Sequence, residues 1–187
     1  MPNSNKTKQL LANALKELLQ TESFEKVNVS KICEKADMNR KTFYYHFMDK
    51  YDLVNWIFDT DLVELIAAPD LISYENRLKF LEILCDYFYK NRIFYRKVLE
   101  VKGQNSFSEY YEDFMYKIIK HRYISANIDY VINDFYLDII AGGTVWALNR
   151  WITTKNAPTP DVIIPELTEL LELTIERKYK ELHHVSK

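Results

Sequence analysis

Apolar residues recur at helical spacing along this chain, and no run of alternating hydrophobicity competes with them. Leu11, Ala14, Leu15 and Leu18 fall at i, i+3, i+4 and i+7, which predicts an amphipathic first helix over residues 5–20, with Lys6 and Lys8 near its outer start. Val29, Ile32, Cys33 and Ala36 repeat the spacing. Ser30 stands where an N-cap belongs and Glu34 lies near the following turn, so a short second helix is expected from Lys31 to Ala36. Asp37, Met38 and Asn39 interrupt it, and Asn39 can cap a third helix from Arg40 to Phe47, where Phe43 and Phe47 stand four residues apart. Two short helices across a tight turn result. The expected fold class is therefore all-α, with a three-helix helix-turn-helix head at 1–50 and a helical bundle body at 51–187, about nine helices in all.

At 100° per residue, Lys41 and Tyr45 point away from Phe43, while Arg40, Thr42, Tyr44 and His46 take the flanks. The outer face of the third helix is basic and aromatic, as a helix entering a DNA groove requires. The plainer alternative is that Tyr44 and Tyr45 cover a local core and the charges are merely solvated. Charge distribution bears on this choice. The net charge of −2 argues against general nucleic-acid affinity, but residues 1–50 carry nine Lys/Arg against six Asp/Glu, +3, and the remainder sixteen against twenty-one, −5.

Other functions are disfavoured by what is scarce. Three glycines, Gly103, Gly142 and Gly143, cannot write a dinucleotide fingerprint or a phosphate-cradling P-loop. Cys33 and Cys85 lie in apolar-periodic stretches without metal-ligand spacing and read as buried small hydrophobes, which fits a reducing compartment. The polar N-terminus has no secretion-signal core, and the longest charge-free run of the body, Ile139 to Asn149, is too short to span a bilayer, so a cytoplasmic protein without membrane association is expected. A di-metal bundle needs two Glu-x-x-His pairs. Only Glu181-Leu182-His183-His184 fits, once, and reads better as an exposed tail. No nucleophile elbow is present, and no enzyme activity, metal or cofactor is expected.

Beyond the head, a fourth helix is expected from Tyr51 to Ile66, carrying Leu53, Ile57 and Leu65 and ending near Ala67-Ala68-Pro69-Asp70. Further helices are predicted over 74–89, 92–101, 107–125 and 130–153, with a last one ending near Leu182, and loops at 103–106 and 154–160. Pro165 leaves the start of the last helix open. Tyr87, Phe114, Tyr136 and Trp146 are candidates to line a small-molecule site, each with ordinary core packing as the alternative. Gly142 and Gly143 weaken their helix by about 1 kcal/mol each relative to alanine, which suggests a close helix crossing. Leu167, Leu170, Leu171 and Thr174 form a stripe on the last helix that serves either an interface or an intrachain core.

The run from Val29 to Val54, and within it Thr42-Phe43-Tyr44-Tyr45-His46-Phe47 followed by Lys50 and Leu53, resembles the DNA-binding head of the TetR/AcrR family of bacterial transcriptional regulators over residues 6–60. It departs at Asp37, usually glycine, and at Lys41, often glycine or proline. Asp tolerates left-handed backbone better than most residues, so the first departure is expected to be accommodated. The segment Ala141 to Ile152 is similar to a C-terminal region common in Firmicutes members. The resemblance implies that Arg40, Lys41 and Tyr44 face bases in the major groove, with Ser30 or Lys31 nearby. Ser30, Lys31, Thr42, Tyr45, His46 and Lys50 are assigned to phosphate contacts, which set register rather than read sequence. For His46 an internal hydrogen bond is the alternative. The resemblance further implies a homodimer on a palindromic double-stranded DNA operator. Its interface would use the helix of Gly142 and Gly143 and the stripe Leu167, Leu170, Leu171 and Thr174, and the fourth helix would join head to body. A small-molecule effector would bind in the body. A weaker likeness to the dihydroxyacetone-kinase operon branch of the family implies the alternative, a coactivator whose body binds a separate sensor protein.

Overall fold

The computed structural model describes residues 2–63, 77–101, 107–125 and 134–169, whose regular structure is helical with no strand among them. Eight α-helices follow in order: α1 (Pro2–Thr21), α2 (Val29–Lys35), α3 (Arg40–His46), α4 (Lys50–Phe58), α5 (Arg77–Lys90), α6 (Arg92–Leu99), α7 (Phe107–Ser125) and α8 (Asp134–Thr153). A ninth, α9, runs over 160–169. The all-α expectation is met.

In the head, α1 packs on α2 and α4 through its Leu11, Ala14, Leu15 and Leu19 face, and α3 lies across α2. A single 3-10 turn, Phe24–Lys26, drops Phe24 into the core between α1 and α2. The cap of α2 differs from expectation. Asn28, not Ser30, supplies the oxygen, accepting the Lys31 N–H at 3.0 Å, so the helix starts at Val29 and Ser30 falls inside its first turn. Asn28 holds the extended backbone that a cap residue needs. At the other end, Asp37 is left-handed at φ 52°; its N–H reaches the Glu34 carbonyl and the Met38 N–H reaches that of Cys33. This is a Schellman ending with aspartate in the usual glycine position, so the departure at Asp37 is accommodated as anticipated.

The fourth helix changes its geometry along its length. Asp49 caps it by accepting from Tyr51 and Asp52, but α-geometry stops at Phe58 and a π-helical turn, Asp59–Val63, continues it. Its predicted residues beyond 63 lie outside the described residues, as do the predicted starts at 74 and 130, the glycine of the 103–106 loop and the tail with Glu181, His183 and His184.

The body core centres on Phe58. Its ring lies 5.0–6.4 Å from those of Phe88, Tyr95, Phe107, Tyr110, Tyr111 and Phe114, mostly edge to face, so α5, α6 and α7 are gathered around the end of α4. The buried residues form one continuous cluster from Leu11 to Ile152. α8 packs on α6 and α7 through Leu137, Ala141, Thr144, Val145 and Leu148. Among the described residues, a Cβ added at Gly142 or Gly143 would meet nothing within 4 Å, so no described helix crosses closely there. α9 begins at Pro160, where a missing N–H costs nothing and the Thr159 carbonyl accepts from Val162; Pro165 lies inside it.

Candidate nucleic-acid interface

The recognition-type helix α3 is fixed at both ends and along one face. Asn39 accepts the Thr42 N–H at 2.8 Å and the Thr42 hydroxyl at 3.1 Å, which starts the helix. Phe43 and Phe47 are buried with their ring centroids 5.7 Å apart, and Phe47 meets Trp56 of α4 at 5.8 Å. Lys8 of α1 places its ammonium 5.6 Å from both the Phe47 and Trp56 rings. These contacts leave α3 one outward face.

Arg40, Lys41, Tyr44 and Tyr45 are exposed on that face, Tyr45 at 83%. Arg40 stacks its guanidinium over Tyr44, 5.8 Å from the ring centre, and reaches the Tyr44 hydroxyl at 3.4 Å. The three residues expected to face bases therefore stand together, two of them already braced against each other. Such bracing lowers the rotamer entropy lost when a long side chain is fixed in a groove. Met48, next to this face and 81% exposed, was missed by the sequence reading. Its signal is a large apolar residue directly after Phe47 that falls off the Phe43 and Phe47 stripe.

The residues assigned to phosphate are less uniform. Ser30 is exposed on the first turn of α2, and Lys31 beside it pairs with Glu22. Thr42 already serves the cap of α3. His46 is half-buried, its ring 4.9 Å from that of Tyr45 and 6.4 Å from that of Phe47, so among the described residues ring packing places it. Lys50 is half-buried and stands apart from the exposed cations of the head. Its ammonium donates to the carbonyls of Phe24 at 2.7 Å and Val27 at 2.8 Å and lies 4.3 Å from the Phe24 ring centre. Burial holds it below the usual lysine range, against the pull of Glu25 and Asp49. Two of its three donors are thus spent inside the head, tying the 3-10 turn to α4.

The candidates of the body do not assemble into one site. Tyr87 is buried and shares a hydrogen bond with the Tyr95 hydroxyl, while its own hydroxyl lies 3.5 Å from the Asp61 carboxylate. Burial pushes both phenols up. Phe114 belongs to the rings around Phe58, Tyr136 is half-buried in the first turns of α8, and Trp146 is 63% exposed beneath the Arg150 guanidinium. Trp146 does border a surface groove between α7 and α8 with Glu112, Asp113 and Tyr116. Cys85 is buried, its thiol pushed up to about 12, and Cys33 is buried too, both protonated as small core hydrophobes. Leu167 packs against the core from α9, while Leu170, Leu171 and Thr174 lie outside the described residues. Among the described residues no cluster of His, Cys, Asp and Glu has the makings of a metal site, and no helix is long and apolar enough to cross a membrane.

Exposed on α8 is an unbroken apolar and small-residue stripe, Phe135, Ile139, Gly142, Gly143 and Trp146, with Phe135 71% exposed. It repeats at i, i+4, i+7, i+8 and i+11, the spacing of a helix face made to meet another helix.

Comparison with known proteins agrees with this geometry. Residues 11–57 match the family of bacterial regulatory proteins called tetR, and residues 75–173 match a transcriptional regulator C-terminal region of the same family. The chain is 33% identical over 116 residues to the HTH-type dhaKLM operon transcriptional activator DhaS of Lactococcus lactis subsp. lactis (strain IL1403). That match spans 60% of this chain and 60% of the relative. The solved structure of the dihydroxyacetone kinase operon activator DhaS superposes with a TM-score of 0.69 at 25% identity, covering 91% of this chain and 96% of the other. NalD of Pseudomonas aeruginosa, the secondary repressor of the MexAB-OprM multidrug efflux pump, superposes at 0.62 with 16% identity over 92% and 96%, a likeness of fold alone. With an α3 that is anchored by two phenylalanines and open on its basic, aromatic face, and with both family regions matched, the chain belongs to the TetR family of bacterial transcriptional regulators.

Proposed function

We propose that this regulator works in the cytoplasm as a homodimer that places two copies of α3 in successive major grooves of a roughly palindromic operator. Residues 1–50 serve as the DNA-binding head and 51–187 as the regulatory body. The observation that carries the reading is the outward face of α3: Arg40, Lys41 and Tyr44 exposed together on a helix that Phe43 and Phe47 hold fast. In this reading those three contact bases. Tyr45, His46, Thr42, Ser30 and the part of Lys31 left free by Glu22 contact phosphates, and Lys50 offers its one remaining donor. The α8 stripe supports dimerisation, because Phe135, Ile139 and Trp146 expose apolar surface and the two glycines leave room for a second helix to approach. With Leu167, Leu170, Leu171 and Thr174, the α8 and α9 helices of two subunits make a four-helix interface.

The body receives the signal. Direct binding of a small molecule and binding of a sensor protein are the two routes. Rings packed around Phe58 occupy the space between α4, α5, α6 and α7, which favours a partner protein on the outside over a small molecule at that point. The relative named as an operon activator agrees with the coactivator form.

Fluorescence anisotropy of labelled upstream fragments, at two salt concentrations and against scrambled competitor, tests the reading. Saturable, competitor-resistant binding at two subunits per site is expected. Lys41→Ala and Tyr44→Ala should narrow the gap between matched and mismatched sites, where each mismatch is worth about 1–3 kcal/mol. Binding that is equally tight on every sequence would overturn it.

A further inference from the structure

Head and body meet at α4, but α4 is not their only polar tie. From α6, deep in the body, Lys97 sends its ammonium to the carbonyls of Leu19 at 2.7 Å and Glu22 at 2.9 Å, at the end of α1. Those carbonyls belong to a helix C-terminus, where a cation is favoured both by the unsatisfied oxygens and by the helix dipole. One turn earlier on α1, Lys16 pairs at 2.5 Å with Asp61 of the π-helical turn. Asp61 in turn lies against Tyr87 of α5, whose hydroxyl bonds Tyr95 of α6. α1 is therefore held from the body by two lysine-centred links, and both lead back to α6.

The link at Lys97 differs in kind from that at Lys50. Lys50 caps Phe24 and Val27 from within the head, so its bonds travel with the head if the head tilts. Lys97 reaches the preceding stretch of the same connection, residues 19–22, from outside. A tilt of the head relative to α6 has to stretch the Lys97 bonds, and a shift of α6 has to pull on them.

We infer that Lys97 is a positioning residue for DNA binding: it holds the end of α1 against α6 and so sets the angle at which the body presents α3, independently of α4. It touches no DNA. Removing it leaves the phosphate contacts in number and widens the range of head orientations, which reduces apparent affinity by the fraction of heads correctly placed.

The test compares wild type, Lys97→Met and Lys97→Arg in the full chain. Spin labels go on Glu34→Cys in α2 and Glu82→Cys in α5, both exposed positions, and labelled protein is diluted with unlabelled so that distances within one chain are read. Lys97→Met should broaden the head-to-body distance distribution and weaken binding about tenfold on every DNA sequence. The salt slope should stay that of wild type, because no phosphate contact is lost. Lys97→Arg should restore both distribution and affinity. A distribution as narrow as wild type, a reduced salt slope, or loss of the helical signal in both Lys97→Met and Lys97→Gln would overturn the inference. Lys97→Gln, which keeps a donor, guards the last outcome: if it too fails to fold, Lys97 is needed for folding and not for positioning. The distance is intramolecular, so the result stands apart from whether the chain dimerises.

Discussion

The head and the body bury aromatic cores of similar character, yet they hold them differently. In the head, α2, α3 and α4 each begin on a side chain that accepts backbone N–H groups two or three residues ahead, Asn28, Asn39 and Asp49, and α2 ends in a Schellman turn. In the body, α6 starts at Asn91 without a side-chain cap; Asn91 instead donates back to the Tyr87 carbonyl at 3.0 Å. The body's order comes from rings far apart in sequence meeting at Phe58. Short helices of seven to nine residues are marginal alone, so the head needs each terminus specified locally. Body helices such as α7 and α8, at 19 and 20 residues, rely on packing.

That contrast predicts which substitutions matter and where their effects appear. Trp56 reports on the head through its contact with Phe47, and Trp151 on the body through its stack on Tyr89, so single-tryptophan variants in urea can separate the two. Phe58→Ala should have the largest effect, a loss of about 3–5 kcal/mol seen at Trp151, because it empties the point on which six rings rest. An equal shift at Trp56 and Trp151 would mean that head and body unfold as one, and the contrast would hold for construction but not for stability.

Next in size is Lys50→Met, which strips the Phe24 and Val27 carbonyls of a charged donor and should cost about 1.5–3 kcal/mol at Trp56. A wild-type melt with a salt slope reduced by one would instead show Lys50 to be a phosphate contact first. Asn39→Ala removes the cap of α3 and should cost about 1 kcal/mol of head stability, leaving Trp151 unmoved. The smallest change runs the other way. Among the described residues the buried Tyr111 hydroxyl has no partner, so Tyr111→Phe should leave the body as stable as wild type or about 1 kcal/mol more so. A clear loss at Trp151 would show that the hydroxyl has a partner in solution.

Legibility follows the same divide. The third helix, its Asn39 cap, its Phe43 and Phe47 anchor and the left-handed tolerance at Asp37 were all readable, since each rests on residues within a few positions of one another. The cap of α2 was misplaced by two residues because Asn28 and Ser30 are both good cap residues, and only the extended backbone at Asn28 decides between them. The π-helical turn after Phe58 was not readable for a similar reason: the apolar period continues through Leu62, and nothing local announces the change. For Gly142 and Gly143 the sequence showed that small residues were wanted but not by whom, and among the described residues they face open space.

Sequence alone therefore determined the helical class, the anchored third helix and the residues on its outer face, because helical periodicity and capping act over one or two turns. The tertiary structure decided the rest. It took two donors of Lys50 for the Phe24 and Val27 carbonyls and sent Lys97 across to the end of α1. It drew Tyr87 and Phe114 into the core around Phe58 and left Trp146 on the open face of α8. A lysine or an aromatic ring carries the same local signal wherever it stands, and what it binds is set by which distant backbone or ring the packing of whole helices brings within reach.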